Sequence, residues 1–309
     1  GSSHMGTTVN RSAPPRAAHA LGRPPVAARG PRGGTSPMAV RIPQGMSLED
    51  LDTRLPKIVD GGLGEGNEFL LADLRDDERT PQLIAMLIWH GFLPMGGLGM
   101  LLPKIHLVRC VMEPQDVHIG RKVKRRAKGF HLTVDAAWSL VVGNIQRLTY
   151  TATPGDCWLT DELAHAYEQV GDRAGKWRRG GVIFHSVELW HTASGELVAG
   201  EVGYTCGRVY SSCTGFTRKE EFPGTGSVQL GALGRWLERC GFAIWDLGME
   251  MDYKREIGGR LVPRVEWARQ IRQHRHQEAI LASPENGNGD AFALISRAAP
   301  VAAAESVSL

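Results

Sequence analysis

Asp246 sits between Trp245 and Leu247 in an apolar run at 242–248, a setting that asks for a chemical explanation. A carboxylate on a core-adjacent strand is costly unless a positive group meets it, either a structural salt-bridge partner or an incoming amine. Cys213, beside Thr214, Thr217 and Arg218, offers a thiol that could carry an acyl group, though no histidine is tied to it by sequence. Glu188 and His185 share the segment VIFHSVELW, but alternation sends them to opposite faces of a strand. Glu188 then lies with Ser186 and Trp190, facing solvent or a substrate groove, and His185 lies with Ile183, Val187 and Leu189 as a core histidine. Trp158 and Tyr167 read by themselves as core aromatics. Gly224, Gly226 and Ser227 open a helix whose first amides could hold an anion, or form a simple turn. Arg121, Lys122, Lys124, Arg125, Arg126 and Lys128 put six positive charges into eight residues, a solvated face or a phosphate-binding surface.

The elements that must position these residues follow from periodicity. Residues 81–91 read as a helix, 91–100 as a glycine-rich loop, 105–111 as a strand and 121–129 as a basic helix or turn. Residues 135–142 read as a further helix, and Thr160 caps another that runs to Gly171. After Gly181 the period changes to two, and the runs 182–190, 196–206 and 208–216 predict an antiparallel meander. A glycine loop, a helix over 228–240 and a strand over 242–248 follow. That order is the one found in acyltransferase cores of the GNAT type. The expected class is α+β: a GNAT-like domain over 131–280 preceded by a smaller α/β domain over 48–130.

Composition bounds the rest. The chain has 309 residues with a formal net charge of +3, but residues 1–48 hold six arginines and no acid, so the body carries 30 basic against 33 acidic side chains. No apolar run approaches the ~20 residues of a membrane-spanning helix. Five cysteines without a C-x-x-C pair suit a reducing compartment rather than a disulfide framework or zinc ribbon. GSSHM at 1–5 reads as a tag scar. Residues 1–47 as a whole, and 281–309, are too poor in large apolar side chains to predict an ordered core. Arginine without acid also suits an organellar address, against which its prolines and lack of an amphipathic run count, so the expected compartment is the cytoplasm with a plastid or mitochondrion as alternative.

Several segments together resemble the leucyl/phenylalanyl-tRNA–protein transferases. They are GFLP at 91–94, the basic stretch 118–128, DCWLTDELAHAYEQV at 156–170, HSVELW at 185–190, ELVAGEVGYTCGRVYSS at 196–212, FTR at 216–218 and Asp246. The resemblance implies that an aminoacyl ester of tRNA is attacked by a protein N-terminal α-amine, marking that protein for degradation. The aminoacyl-tRNA is then the co-substrate, with no other cofactor and no metal, and the expected molecule is a monomer away from membranes. It implies that Asp246 orients the amine, with Glu188 and Cys213 as further catalytic candidates. Trp158, Tyr167, His185, Ser186, Tyr204, Phe216, Thr217, Arg218, Gly224, Gly226 and Ser227 would line the substrate, and the run from Arg121 to Lys128 would hold the acceptor stem. The chain departs from the family pattern at Cys213, where a glutamate is usual, at Gly248, where a glutamine is usual, and at 100–102, where a tryptophan pair is missing. Two other functions stay open: an acyl-CoA-dependent GNAT enzyme, against which Glu221 in the glycine loop counts, and a catalytically silent binder of tRNA or N-degrons.

Overall fold

Ser47 accepts a hydrogen bond from the Asp50 amide at 3.1 Å and so starts α1 (Leu48–Gly61), whose Leu48, Leu51, Leu55 and Val59 form one buried stripe. The structure is a computed structural model that describes residues 39–63, 67–74, 79–97, 99–149, 157–173, 181–285 and 288–296. The tag scar and most of the arginine-rich segment lie outside the described residues. Around α1 stand β1 (Ala39–Arg41), β2 (Phe69–Asp73), β3 (Leu93–Gly97) and β4 (Met100–Lys104), in the order β1-β2-β4-β3. The helix α2 (Arg79–Trp89) is buried from Thr80 to Trp89 except at Gln82. The loop expected over 91–100 is instead the β3–β4 hairpin. Pro94 is tolerated there because β3 is an edge strand, where a missing amide hydrogen leaves no ladder bond unmade.

A seven-stranded sheet carries the rest. Its strands are β5 (Val108–Met112), β6 (Phe130–Val134), β7 (Ile183–His191), β8 (Glu196–Cys206), β9 (Val209–Thr217), β10 (Ile244–Gly248) and β11 (Arg260–Pro263), ordered β11-β5-β10-β9-β8-β7-β6. The expected meander is β7–β8–β9. Before it come α3 (Arg121–Arg126), α4 (Trp138–Asn144), α5 (Asp161–Glu168) and α6 (Val170–Arg173). Thr160 caps α5 as expected, accepting from the Leu163 amide. The helix expected from 135 begins only at Trp138, because Asp135 takes φ 57° and turns its carboxylate onto the Ser186 amide.

β9 and β10 are the parallel pair of the sheet, joined through α7 (Thr225–Arg239). That helix starts a turn earlier than the 228 expected, so Thr225, Gly226 and Ser227 are its first residues rather than a loop. The last registered pair between β9 and β10 is Ser211 with Asp246, and both strands are irregular just beyond it. On β9, Val202 pairs with Thr214 and Gly203 with Ser212, leaving Cys213 as the extra residue of a bulge.

Each face of the sheet has its own core. Val202, Tyr204, Phe184, Tyr167 and Phe216 pack with Leu55, Leu70 and Ile84 of the small sheet and its helices. Val187, Leu189, Tyr210 and Trp245 pack with Val228, Leu233 and Leu237 of α7 and with α10 (Ala291–Ser296). After β10 come α8 (Asp252–Glu256) and α9 (Arg264–His274). Two strands of the chain's first half thus serve different sheets: β4 belongs to the small one, while β5 lies between β11 and β10. The segment from 281, expected as tail, is ordered where described. Leu281, Ala291, Leu294 and Ile295 are buried, and the Gly289 carbonyl accepts from the Leu132 amide at 2.7 Å. A short apolar cluster in a polar segment suffices when α7 already offers an apolar face. Among the described residues no helix is long and apolar enough to cross a membrane.

Candidate active site

β10 places Asp246 in full burial, and the positive group that meets it is Arg109 of β5. Arg109 Nε donates to Asp246 Oδ1 at 3.1 Å and Nη2 donates to Oδ2, a two-point pairing. Ser211 Oγ donates to Oδ2 and the Gly248 amide to Oδ1, both at 2.9 Å. Four donors fill the acceptor sites of one carboxylate. Asp246 is therefore not a free carboxylate awaiting an amine, which corrects the role expected for it. Arg109 in turn donates from Nη1 to His106 Nδ1 at 2.8 Å and lies over the Trp267 ring at 4.9 Å. Burial works to lower the Arg109 pKa, but Asp246 outweighs it and holds the guanidinium above its usual range. His106 is pushed well down, first by burial and then by Arg109, so its Nδ1 is a neutral acceptor.

Adjacent serines on β9 hold two carboxylates on opposite faces. While Ser211 bonds Asp246, Ser212 Oγ donates to Glu201 Oε1 at 2.7 Å, and Tyr210 Oη donates to the same oxygen at 2.8 Å. Gln229 of α7 reaches Oε2 at 3.4 Å. Burial pushes the Glu201 carboxyl up, partly offset by Ser212 and Tyr210. Cys213 follows in the bulge. Burial drives its thiol well up, with Asp246 adding to the shift, and among the described residues its sulfur reaches the Ser211 carbonyl at 4.0 Å.

The aromatic candidates gather beside this cluster. Tyr167 donates to the Pro94 carbonyl and stacks on Phe184 at 3.7 Å, and Phe184 meets Tyr204 edge-on at 5.6 Å. Phe216 is buried in the same core, and Trp158 is half-buried against it. Glu188 is elsewhere: β7 lies three strands from β10, about 14 Å across the sheet. It accepts from Ser186 Oγ and Thr133 Oγ1 at 2.6 Å each and from the Ala137 amide at 3.1 Å. Burial raises its pKa against those bonds. His185, on the other face, is a satisfied core histidine bonded to Asp135 at 2.8 Å and Thr205 at 3.3 Å. Ser186, Glu188 and His185 thus fasten β7 to its neighbours and do not join the Asp246 cluster.

The α7 entrance forms a separate surface. Gly224 takes φ 81°, and a Cβ there would lie 2.3 Å from Arg126 Nη1, so the end of α3 packs against this turn. Gly226 lies against Thr217, and Arg218 bridges Glu196 at 3.0 Å and Glu221. Ser227 is exposed. Arg121, Lys122, Lys124, Arg125, Arg126 and Lys128 are exposed and have no salt bridge among the described residues.

A family model described as leucyl/phenylalanyl-tRNA protein transferase matches residues 111–272, more than half of the chain. The chain belongs to that family. Leucyl/phenylalanyl-tRNA–protein transferases similar to it include one from Azotobacter vinelandii, 27% identical over 54% of this chain and 68% of the relative. Another, from Ralstonia pickettii, is 28% identical over 72% of this chain and 87% of the relative. A third, from Cupriavidus necator, is 28% identical over 69% and 83%. Within this transferase family member, sequence reasoning missed Arg109, Ser211 and Glu201. The available signal was a charged residue inside each apolar strand, Arg109 in VRCVM and Glu201 in ELVAGEVGY.

Proposed function

We propose that the chain transfers a leucine- or phenylalanine-like amino acid from aminoacyl-tRNA to the N-terminal α-amine of an acceptor protein, which marks the acceptor for degradation. The family match over 111–272 carries this reading, because it takes in the basic run, Tyr204, Ser211 and Asp246. An aminoacyl ester is already activated, so the protein's task is to align amine and carbonyl and to stabilise charge on the acyl oxygen. The attacking nitrogen forms the new C–N bond, the ester C–O bond breaks, and the amine's proton ends on the ribose oxygen. Arg109 and Asp246 form a rigid floor for this chemistry; α3 supplies the charge that meets tRNA phosphate.

A GNAT-like core is supported by the parallel β9–β10 pair, which parts beyond Ser211 and Asp246 and is crossed by α7 from a glycine turn. In this reading 131–280 is the transferase unit, with 48–130 contributing β5 and α3 to it. Acyl-CoA suits the α7 entrance poorly, since Glu221 stands there beside Arg126. We take the protein to act as a monomer in the cytoplasm, where charged tRNA is at hand.

The test is transfer of radiolabelled leucine or phenylalanine from charged tRNA to peptides that begin with arginine or lysine. Product on such a peptide is expected; no transfer from any charged tRNA by the folded protein would sink the reading. Because burial pushes the Cys213 thiol well up and no histidine is bonded to it among the described residues, Cys213→Ala is expected to retain most of the transfer rate, with no acid-stable thioester intermediate on the wild-type protein.

A further inference from the structure

We propose that Tyr204 is a catalytic residue of this transferase, whose Oη donates a hydrogen bond to the carbonyl oxygen of the aminoacyl ester as that oxygen gains charge. This rests on the aminoacyl-transfer reading above.

Among the described residues three tyrosines are buried almost completely, and two of them are satisfied: Tyr167 donates to the Pro94 carbonyl and Tyr210 to Glu201. Tyr204 is the exception. Its Oη is buried beside the Arg109 guanidinium and the Ser211 hydroxyl, yet donates to no group among the described residues, a costly state for a buried hydroxyl unless an acceptor arrives. Registered pairing puts Tyr204 opposite Ser211, and Ser211 opposite Asp246, so the three form one row across β8, β9 and β10. Of the donors beside Tyr204, Ser211 has given its one hydroxyl hydrogen and Arg109 three of its five. Ser211 Oγ and Arg109 Nε and Nη2 serve Asp246, and Arg109 Nη1 serves His106. The hydrogen of Tyr204 Oη is committed to no group among the described residues.

The ring is held in place by Phe184, itself stacked on Tyr167, so the hydroxyl is fixed before substrate arrives. Burial pushes the phenol up, against the pull of Arg109, so it remains a donor at neutral pH. As the amine attacks, the π electrons of the carbonyl move onto its oxygen. Tyr204 keeps its proton and shares it with that oxygen, and when the intermediate collapses the ribose oxygen leaves with the electron pair of the broken C–O bond and the amine's proton.

Tyr204→Phe is expected to lower kcat about 100-fold, with KM for aminoacyl-tRNA nearly unchanged. Its thermal midpoint should be equal or higher, since phenylalanine leaves no buried polar atom unpaired. Incorporation of 3-fluorotyrosine at 204, which keeps shape and donor, should restore transfer. Two probes then separate the states: a phosphonate analogue of aminoacyl-adenosine, which carries an anionic oxygen, and its amide-linked counterpart. Y204F should weaken the first about tenfold or more and leave the second unchanged. Wild-type kcat in Y204F, or equal weakening of both analogues, overturns this proposal alone. A wild-type protein that transfers nothing takes down the functional reading with it.

Discussion

Arg109→Met is expected to cost about 3–5 kcal/mol of unfolding free energy and to abolish transfer. Arg109 and Asp246 are each almost completely buried, and the guanidinium is bound at two points by the carboxylate, at a third by His106, and covered by Trp267. Deleting the cation leaves a carboxylate in the core with only Ser211 and the Gly248 amide to serve it. Urea denaturation measures the loss. Its origin can be separated by adding Asp246→Asn: the double variant removes the unpaired charge and should recover much of the stability without recovering transfer. Arg109→Lys should also fall short, since an ammonium cannot reproduce the two-point pairing. A loss below about 1 kcal/mol in Arg109→Met would mean that water reaches Asp246 and that the pair is not a rigid floor.

The second large effect concerns binding. Changing Arg121, Lys124 and Arg125 together to alanine is expected to weaken charged-tRNA affinity by about 100-fold near 0.1 M salt. The slope of log affinity against log salt should flatten by roughly 0.7–0.9 for each phosphate that is no longer neutralised. All three residues are exposed and have no salt bridge among the described residues, so folding stability should change little. Filter binding across a salt series reads both quantities. An unchanged slope with unchanged affinity would make α3 a solvated face. The neighbouring Arg126 is left out of the triple variant because it packs against Gly224, where its removal would also disturb the entrance of α7.

Periodicity made the meander legible, because period two is a local signal that can be read without knowing what packs on either face. The Thr160 cap and the apolar stripe of α5 were equally visible, because capping and helical spacing act within a few residues. The hairpin at 91–100 was not. Its glycines and Pro94 argue for a loop, and only the edge position of β3 makes a proline acceptable there. The order of 281–296 was hidden for a similar reason, since its few apolar residues have value only beside α7.

The site divides along the same line. Sequence alone established that Asp246 lies on an apolar strand, that six basic residues cluster at 121–128, and that the spaced motifs resemble one transferase family. Only the tertiary structure decided that Asp246 already has its cation in Arg109, 137 positions away, and that the Tyr204 hydroxyl donates to no group among the described residues. The reason is register. Which charges cancel and which donors stay uncommitted depends on the rows that strands form across a sheet, and a row joins residues that no local pattern connects.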